Sequence, residues 1–143
     1  MIKFKKLKPN ATIPTQGSEY AAGYDLYACI DESIIIQPHE TVKIGTGIAL
    51  TPPAHTFGAI FARSGIATKR GLRPANCVGV ADIDYTGEYI VALHNDSNIP
   101  QTVEPNERIA QLVFIPYITD EWQEVKELEK TERGAGGFGS SGK

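Results

Sequence analysis

Residues 79–95, GVADIDYTGEYIVALHN, contain two short apolar segments separated by a turn, and this pattern indicates how the chain folds. Thr86 and Gly87 supply turn chemistry between the two segments. Residues 90–93 are apolar at every position, which predicts a strand that is buried on both faces. Two short strands joined by a turn are typical of a β-rich fold.

Short apolar segments with turn residues between them recur along the rest of the chain. Their ranges are 2–7, 24–29, 33–36, 41–48, 56–61, 77–80, 89–95 and 109–117. Short strands at this spacing predict an all-β sandwich or barrel, and a jelly roll fits best. The 14 Gly and 9 Pro are spread along the sequence, so they exclude an all-helical protein.

Two segments have helical character. Residues 64–70 are small or helix-tolerant and predict one short helix of about two turns. Residues 117–133 form the longest stretch without Gly or Pro. Within it Trp122, Val125 and Leu128 recur at every third position, so propensity alone favours a second helix there.

The C-terminal residues 133–143, RGAGGFGSSGK, are rich in glycine and have the composition of a flexible terminus. Arg133 and Phe138 favour a different interpretation, because a plain linker has no use for a guanidinium and an aromatic ring. A guanidinium, a stacking ring and free amide groups together suit a flap that covers a phosphate-bearing ligand.

Length and charge limit the classes of function. The 143 residues predict one domain. A net charge of −3 without blocks of like charge argues against duplex nucleic acid as a ligand, since such binding needs a basic face. No apolar run approaches the ~20 residues of a membrane span, and lysines occupy the region where a signal peptide is apolar, so we expect a cytoplasmic protein. Cys29 and Cys77 are expected to be reduced thiols.

Two motifs in the first half of the chain carry polar groups beside glycine. Asp25, at the start of a predicted strand, is either a turn residue or a carboxylate that holds a hydrated cation. Arg63, Ser64 and Gly65 open the predicted helix. Ser64 is either a simple N-cap or, together with the Arg63 charge, part of an anion site.

Two motifs in the second half add further polar groups. Asp82 and Asp84 flank one residue, so in a strand they share a face, where they are either solvated or used by a cation, an arginine or water. Arg108 and Gln111 would point to opposite faces of a regular strand, so a shared role needs an irregular segment. The sequence contains no motif for a serine nucleophile, a zinc site or a P-loop.

These motifs occur in a specific order. The chain contains, in sequence, AGYDLYA, RSG, GVADIDYTGE, RIAQLV and RGAGGFGSSG. The series resembles the five motifs of the homotrimeric dUTP diphosphatases, the dUTPases, from residue 20 to the end. The resemblance implies Mg2+-dependent hydrolysis of dUTP to dUMP and pyrophosphate, by in-line attack of water at the α-phosphorus.

The resemblance also implies an architecture. The family fold is a distorted jelly roll with strands exchanged between the subunits of a homotrimer, and three active sites lie at the subunit interfaces. Residues 1–132 would then form the jelly-roll domain with a C-terminal arm that crosses to a neighbour, and residues 133–143 a flexible lid of the same domain. In this arrangement residues 122–133 are extended rather than helical.

Residue roles follow from the same resemblance. Asp82 would orient and deprotonate the attacking water, Tyr85 would pack on deoxyribose and leave no room for a 2′-hydroxyl, and Asp25 would contact Mg2+ through water. The implied phosphate contacts are Arg63, Ser64, Gly65 and Gln111; the contacts to uracil and sugar are Asn76, Gly79, Val80, Ala81, Tyr85 and Ile90; and the lid contacts are Arg133, Phe138, Gly139, Ser140 and Ser141.

Four positions depart from the commonest family pattern, namely Ala62, Ala81, Asn106 and Ser141, and none of them removes a polar reacting group. Two alternatives stay open. A dCTP deaminase of the same fold would release ammonia and keep the triphosphate. A non-catalytic jelly-roll module would instead regulate a protein partner.

Overall fold

The computed structural model describes residues 1–137. Over this range the chain forms short β-strands and one short helix. In chain order the elements are β1 Lys3–Lys6, β2 Thr15–Gln16, β3 Tyr24–Tyr27, β4 Ile34–Ile36, β5 Thr41–Gly45, β6 Ile48–Thr51, β7 Thr56–Phe61, α1 Ser64–Arg70, β8 Leu72–Pro74, β9 Gly79–Ala81, β10 Ile90–Asn95, β11 Gln101–Val103 and β12 Arg108–Pro116.

The strands pair antiparallel in four small sheets. The largest has the order β2-β3-β12-β7-β9 and the next β5-β10-β8, while β1 pairs with β6 and β4 with β11. Most neighbours in these sheets are distant in sequence, as expected for a jelly roll rather than a series of hairpins. The predicted all-β fold with one short helix is confirmed.

The core lies between the two larger sheets and takes side chains from both. Leu26 on β3, Ile44 on β5, Leu93 on β10 and Leu112 on β12 are all fully or almost fully buried. Each buried side chain of this size contributes roughly 1.5–3 kcal/mol relative to an exposed one. On β10 only one face is buried, because Ile90 at its start is 45% exposed. The prediction that both faces are buried is therefore wrong.

The stretch 79–95 does not form a hairpin, contrary to the sequence expectation. β9 pairs with β7, whereas β10 pairs with β5 and β8 in another sheet. Residues 82–89 therefore form a connection between two sheets, and this connection begins with a turn in which the Tyr85 N–H donates to the Asp82 carbonyl (3.1 Å). Asp82 and Asp84 lie in this turn and not on a strand face.

Three other expectations need correction. The predicted strand 41–48 is two strands, because Gly47 has a left-handed backbone (φ 66°) that breaks the ladder. The sequence analysis does not predict β2, β8 and β11, since two or three residues carry too little periodic signal. Residues 117–137 contain no helix or strand, so the helix that propensity alone favours is absent, in line with the non-helical segment 122–133 that the family resemblance implies. Their apolar side chains are exposed, and a short helix gains most of its stability from burying such a face.

The helix α1 has the predicted bounds but not the predicted cap. Its N-cap is Arg63, which makes no side-chain capping hydrogen bond, so Ser64 is already the first helical residue. Gly71 ends the helix in a left-handed conformation, and its N–H bonds back to the last turn.

Within residues 1–137, no helix is long and apolar enough to cross a membrane. Cys29 and Cys77 are both free thiols.

Asn95, at the end of β10, is a buried polar side chain with every hydrogen-bonding atom used. Its amide donates to the carbonyls of Ile36 (3.0 Å), Gln37 (3.2 Å) and Ile99 (2.8 Å). Its side-chain oxygen accepts from the N–H (2.9 Å) and the hydroxyl (2.7 Å) of Ser97. The side chain thus joins β10 to β4 and closes the following turn.

We expect Asn95→Ala to lower the free energy of unfolding by about 2–4 kcal/mol, because it strands buried carbonyls without a donor. Asn98→Ala is the matched control, since Asn98 is an exposed asparagine of the same turn. Urea unfolding at one protein concentration measures both. Equal stability of the two variants would show that the Asn95 network contributes little.

Candidate active site

A cleft of about 380 Å³ opens beside the start of α1, and we call it the arginine cleft. Three elements form its charged part: β3 supplies Asp25, the loop after β7 supplies Arg63, and the start of β12 supplies Arg108. Gly23, Ser64, Gly65 and Gln111 also line it. All the expected phosphate contacts outside the C-terminal tail are thus brought together with Asp25.

Asp25 bridges the two arginines. Its Oδ1 accepts from Arg63 Nε at 2.7 Å, and its Oδ2 accepts from Arg108 Nη1 at 3.2 Å. The Asp25 side chain is only 12% exposed, so its charge must be compensated locally. Two guanidinium groups against one carboxylate leave one net positive charge facing the cleft, which suits an anionic ligand.

The arginines keep donors available for such a ligand. In the described part of the chain, Arg63 uses Nε on Asp25 and contacts the Arg108 carbonyl through Nη1 (3.5 Å), while its Nη2 has no partner. Arg108 is about half exposed and uses only Nη1 on Asp25. Planar guanidinium groups held in this way present fixed N–H donors to phosphate oxygens.

Arg108 is the residue that the sequence assignment missed. It was considered with Gln111, but a regular strand would separate the two side chains onto opposite faces. A register shift between Arg108 and Ala110 in the pairing with β3 removes this conflict, and both residues line the arginine cleft. The irregular segment expected as the condition for a shared role is therefore present, although nothing in the local sequence signals a bulge.

Gln111, Gly23 and Gly65 shape the uncharged part of the arginine cleft. Gln111 Nε2 donates to the Ala62 carbonyl (2.8 Å), which ties β12 to the loop before α1. A Cβ on Gly23 would come within 2.6 Å of Gln111 Oε1, so a larger residue there would displace the Gln111 amide from its position in the cleft. Gly65 is different, because a Cβ there would meet no atom within 4 Å. Open space in front of a backbone glycine suits the close approach of a ligand.

The far end of α1 is anchored to the β11–β12 turn. Arg70 donates to the Glu107 carboxylate, to Gln101 Oε1 (3.1 Å) and to the Thr102 carbonyl. This turn leads directly into Arg108. The two sides of the arginine cleft, α1 and β12, are thus fixed to each other at both ends of the helix.

A second, smaller cleft of about 170 Å³ is lined by residues around β9 and the connection to β10, and we call it the tyrosine cleft. It contains all the residues expected to contact base and sugar, and Ile60, Glu88 and Tyr89 complete its wall. The expected residues are Asn76, Gly79, Val80, Ala81, Tyr85 and Ile90. Exposed apolar side chains, such as Val80 at 64%, give this cleft a surface suited to a flat ring.

The remaining expected site residues do not line either cleft in the single chain. Asp82 is exposed and lines neither cleft, and no residue lines both clefts over residues 1–137. Arg133 is exposed, and its Nε donates to the Gly136 carbonyl (2.9 Å). The same residues contain no cluster of three potential metal-binding side chains. Four expected contacts lie outside the described residues: Phe138, Gly139, Ser140 and Ser141.

Comparison with known proteins identifies the family of this chain. A family model described as dUTPase matches residues 9–142. The chain belongs to the dUTPase family. It is 47% identical over 131 residues to a deoxyuridine 5'-triphosphate nucleotidohydrolase of Desulfitobacterium hafniense, covering 91% of this chain and 87% of that protein. It is 42% identical over 139 residues to the enzyme of the same name from Coxiella burnetii, covering 96% and 91%.

Solved dUTPase structures share the fold. A Staphylococcus bacteriophage 80alpha dUTPase mutant with dUpNHpp superposes with a TM-score of 0.89 at 29% identity, covering 99% of this chain and 98% of that one. A mutant dUTPase of phage phi11 of S. aureus, described as coordinating a structural Mg(II) ion, has a TM-score of 0.81. Its identity to this dUTPase family member is 23%, so it supports the fold alone.

We expect Arg63→Lys to weaken the binding of inorganic pyrophosphate by about 10-fold or more. A lysine keeps the charge, but its single ammonium cannot bond to Asp25 and to a phosphate in one fixed plane. Arg73→Lys is the control, because Arg73 forms an exposed pair with Asp96 outside the cleft. Titration calorimetry compares the two variants. Equal affinities would show that the Arg63 fork does not hold the anion.

Proposed function

We propose that this chain hydrolyses dUTP to dUMP and pyrophosphate. Membership of the dUTPase family and the names of its curated relatives support this activity. The observation that carries the proposal is the chemical division of the two clefts. One has net positive charge from two arginines held by Asp25. The other is smaller and combines apolar side chains and two tyrosines with the polar groups of Asn76 and Glu88.

The arginine cleft suits the triphosphate. Phosphoryl transfer needs positioning and charge neutralisation rather than a covalent intermediate. Arg63 and Arg108 supply fixed donors, and Ser64 and Gly65 add N–H groups of the first helical turn that have no acceptor within the helix. Gln111 lies beside them at the middle of β12. A nucleotide with a charged tail and a planar base would span both kinds of surface.

We include Mg2+ as the cofactor, held through Asp25. Both Asp25 oxygens already accept from guanidinium groups, so this carboxylate can take a hydrogen bond from a metal-bound water but is a poor direct ligand. This donor set fits contact through water. When bound, Mg2+ would neutralise charge on the phosphates. The protein residues would orient the chain of phosphates around it.

Asp82 is proposed as the general base, which orients the attacking water and accepts its proton. Its carboxylate is exposed in the turn after β9 and has no side-chain hydrogen bond to any described residue. Tyr85, in the same turn, is proposed to pack on deoxyribose and exclude a 2′-hydroxyl. Attack then occurs in line with the leaving pyrophosphate at the α-phosphorus.

The complete site is proposed to form in a homotrimer. In one chain the two clefts share no residue among 1–137, and the C-terminal segment exposes Ile118, Trp122 and Leu128. Such apolar side chains need a partner surface. We therefore propose that the arm at the end of domain 1–132 crosses to a neighbour and exchanges strands with it.

The glycine-rich residues 133–143 would then act as a lid over a neighbouring site. Arg133 would reach the outer phosphates and Phe138 would stack on uracil. Gly139, Ser140 and Ser141 would add hydrogen bonds. A cytoplasmic location fits this proposal, because the substrate is an intracellular nucleotide.

Light scattering is expected to give three times the chain mass of 15.5 kDa. The single tryptophan, Trp122, offers a second reading, because it is fully exposed in the isolated chain. Its emission should be blue-shifted in the trimer and should shift to the red when Trp122 is released by denaturant or dilution. A species of 15.5 kDa at working concentration would contradict the trimer and the shared site.

Asp82→Asn is expected to lower single-turnover hydrolysis of Mg·dUTP by roughly 10²- to 10⁴-fold while substrate still binds, because the amide cannot accept the proton. Asp84→Asn is the matched control, since Asp84 is exposed in the same turn. Affinity is measured separately with an α,β-imido analogue. A fast Asp82→Asn enzyme beside an inactive Asp84→Asn enzyme would identify Asp84 as the base.

The same assay tests the reaction itself. The parent protein is offered dUTP, dCTP, dTTP and UTP with Mg2+, and both pyrophosphate and ammonia are measured. We expect pyrophosphate from dUTP alone. Ammonia from dCTP with the triphosphate intact would identify a deaminase, and the absence of both products would contradict an enzymatic role.

A further inference from the structure

The ring of Tyr85 is held against its own loop before any ligand arrives. Its hydroxyl donates to the Glu88 carbonyl at 2.9 Å. The ring lies across Gly87, where a Cβ would come within 2.6 Å of the hydroxyl oxygen and 2.7 Å of Cζ. The Glu88 hydrogen bond fixes only the hydroxyl end of the Tyr85 ring, and Gly87 contacts only one side of it. Because Tyr85 is 44% exposed, the ring needs a further packing contact to stay in one position.

Tyr89 supplies an aromatic contact from the protein interior. The two ring centroids are 6.1 Å apart at an interplanar angle of 49°, within the range of favourable aromatic pairs. Tyr89 lies in the wall of the tyrosine cleft but is only 1% exposed, so it offers a ligand there almost no accessible surface. Any effect of Tyr89 on a ligand must therefore pass through Tyr85.

The position of Tyr89 is itself rigid. Its N–H donates to the Ile48 carbonyl (2.8 Å), and its carbonyl accepts from Thr46 through both N–H (3.2 Å) and Oγ1 (2.7 Å). At the other end, the phenol oxygen lies 3.0 Å from the place that a Cβ on Gly58 would take. The ring thus fills the space between β7 and Tyr85.

The hydroxyl group does not account for the presence of a tyrosine at position 89. It is buried and has no hydrogen-bond partner in the described part of the chain. Burial raises the pKa of Tyr89 to about 12, so the phenol stays neutral at all ordinary pH values. An unpartnered buried hydroxyl is destabilising, which leaves the size and planarity of the ring as the useful property.

We propose that Tyr89 is a positioning residue that holds the Tyr85 ring in place and thereby sets the discrimination between deoxyribose and ribose nucleotides. The inference rests on the proposed function, in which Tyr85 excludes the 2′-hydroxyl. A steric wall rejects an added hydroxyl only if the wall cannot move, and packing from behind is what locks a side-chain rotamer. Without Tyr89, the Tyr85 ring can rotate away from a ribose at little cost.

The test compares Tyr89→Phe with Tyr89→Leu. The ratio of kcat/KM for dUTP to that for UTP is measured for both variants and the parent. Tyr89→Phe keeps the ring and should retain the parent ratio, whereas Tyr89→Leu should lower the ratio by about 10-fold or more, mainly by lowering KM for UTP. If Tyr89→Leu keeps the parent ratio and changes only thermal stability, Tyr89 is a core residue and the inference is wrong.

A double-mutant cycle separates support of Tyr85 from a general loosening of the fold. In the Tyr85→Ala background the wall is already absent, so adding Tyr89→Leu should lower the ratio no further. If Tyr89→Leu lowers the dUTP/UTP ratio in the Tyr85→Ala background as much as it does in the parent background, the inference is wrong. If Tyr89→Leu does not fold, Tyr89→Met fills more of the space without a planar face, and the same outcomes apply.

Binding distinguishes failure of this inference from failure of the proposed reaction. Calorimetry with α,β-imido analogues of dUTP and UTP measures sugar discrimination without turnover. A parent that discriminates in binding but does not hydrolyse dUTP would contradict the proposed reaction, and the Tyr89 variants would still decide the inference. A parent that binds both analogues equally would overturn the role of Tyr89.

Discussion

The bridge from Asp25 to Arg63 and Arg108 is the interaction on which the arrangement of the arginine cleft depends. It joins three segments that are distant in sequence: β3, the loop before α1, and the start of β12. β12 lies between β3 and β7, and its Gln111 is opposite Asp25 on one side and Phe61 on the other. A buried carboxylate needs its partners, so loss of either arginine would leave one Asp25 oxygen without its guanidinium and would remove the net positive charge of the cleft.

The second cleft depends on a connection rather than on a sheet. Residues 82–89 pass from β9 in one sheet to β10 in another, and they carry both Asp82 and Tyr85. Glu88 fixes this connection, because its carboxylate accepts from the Gly47 N–H (2.7 Å) while its carbonyl accepts from Tyr85. The loop can therefore be rigid without belonging to a ladder, and rigidity is what the proposed steric role of Tyr85 requires.

Separate clefts in one chain are consistent with the chemistry of the dUTPase family. Hydrolysis of a nucleoside triphosphate needs charge neutralisation at the phosphates and recognition at the base, and it needs few covalent roles for side chains. Surfaces of these two kinds can be built on different subunits and meet at an interface. In the proposed trimer, such an interface would also bury the exposed apolar side chains of the C-terminal segment, such as Trp122.

The sequence by itself determined most of the short strands, the bounds of the helix 64–70 and the five ordered motifs that identify the family, because each depends on neighbours along the chain. Only the tertiary structure decided that β9 and β10 belong to different sheets and that a bulge brings Arg108 beside Gln111. It also revealed Tyr89 behind Tyr85. These features arise from contacts between segments far apart in sequence, and local periodicity carries no information about which segments will meet.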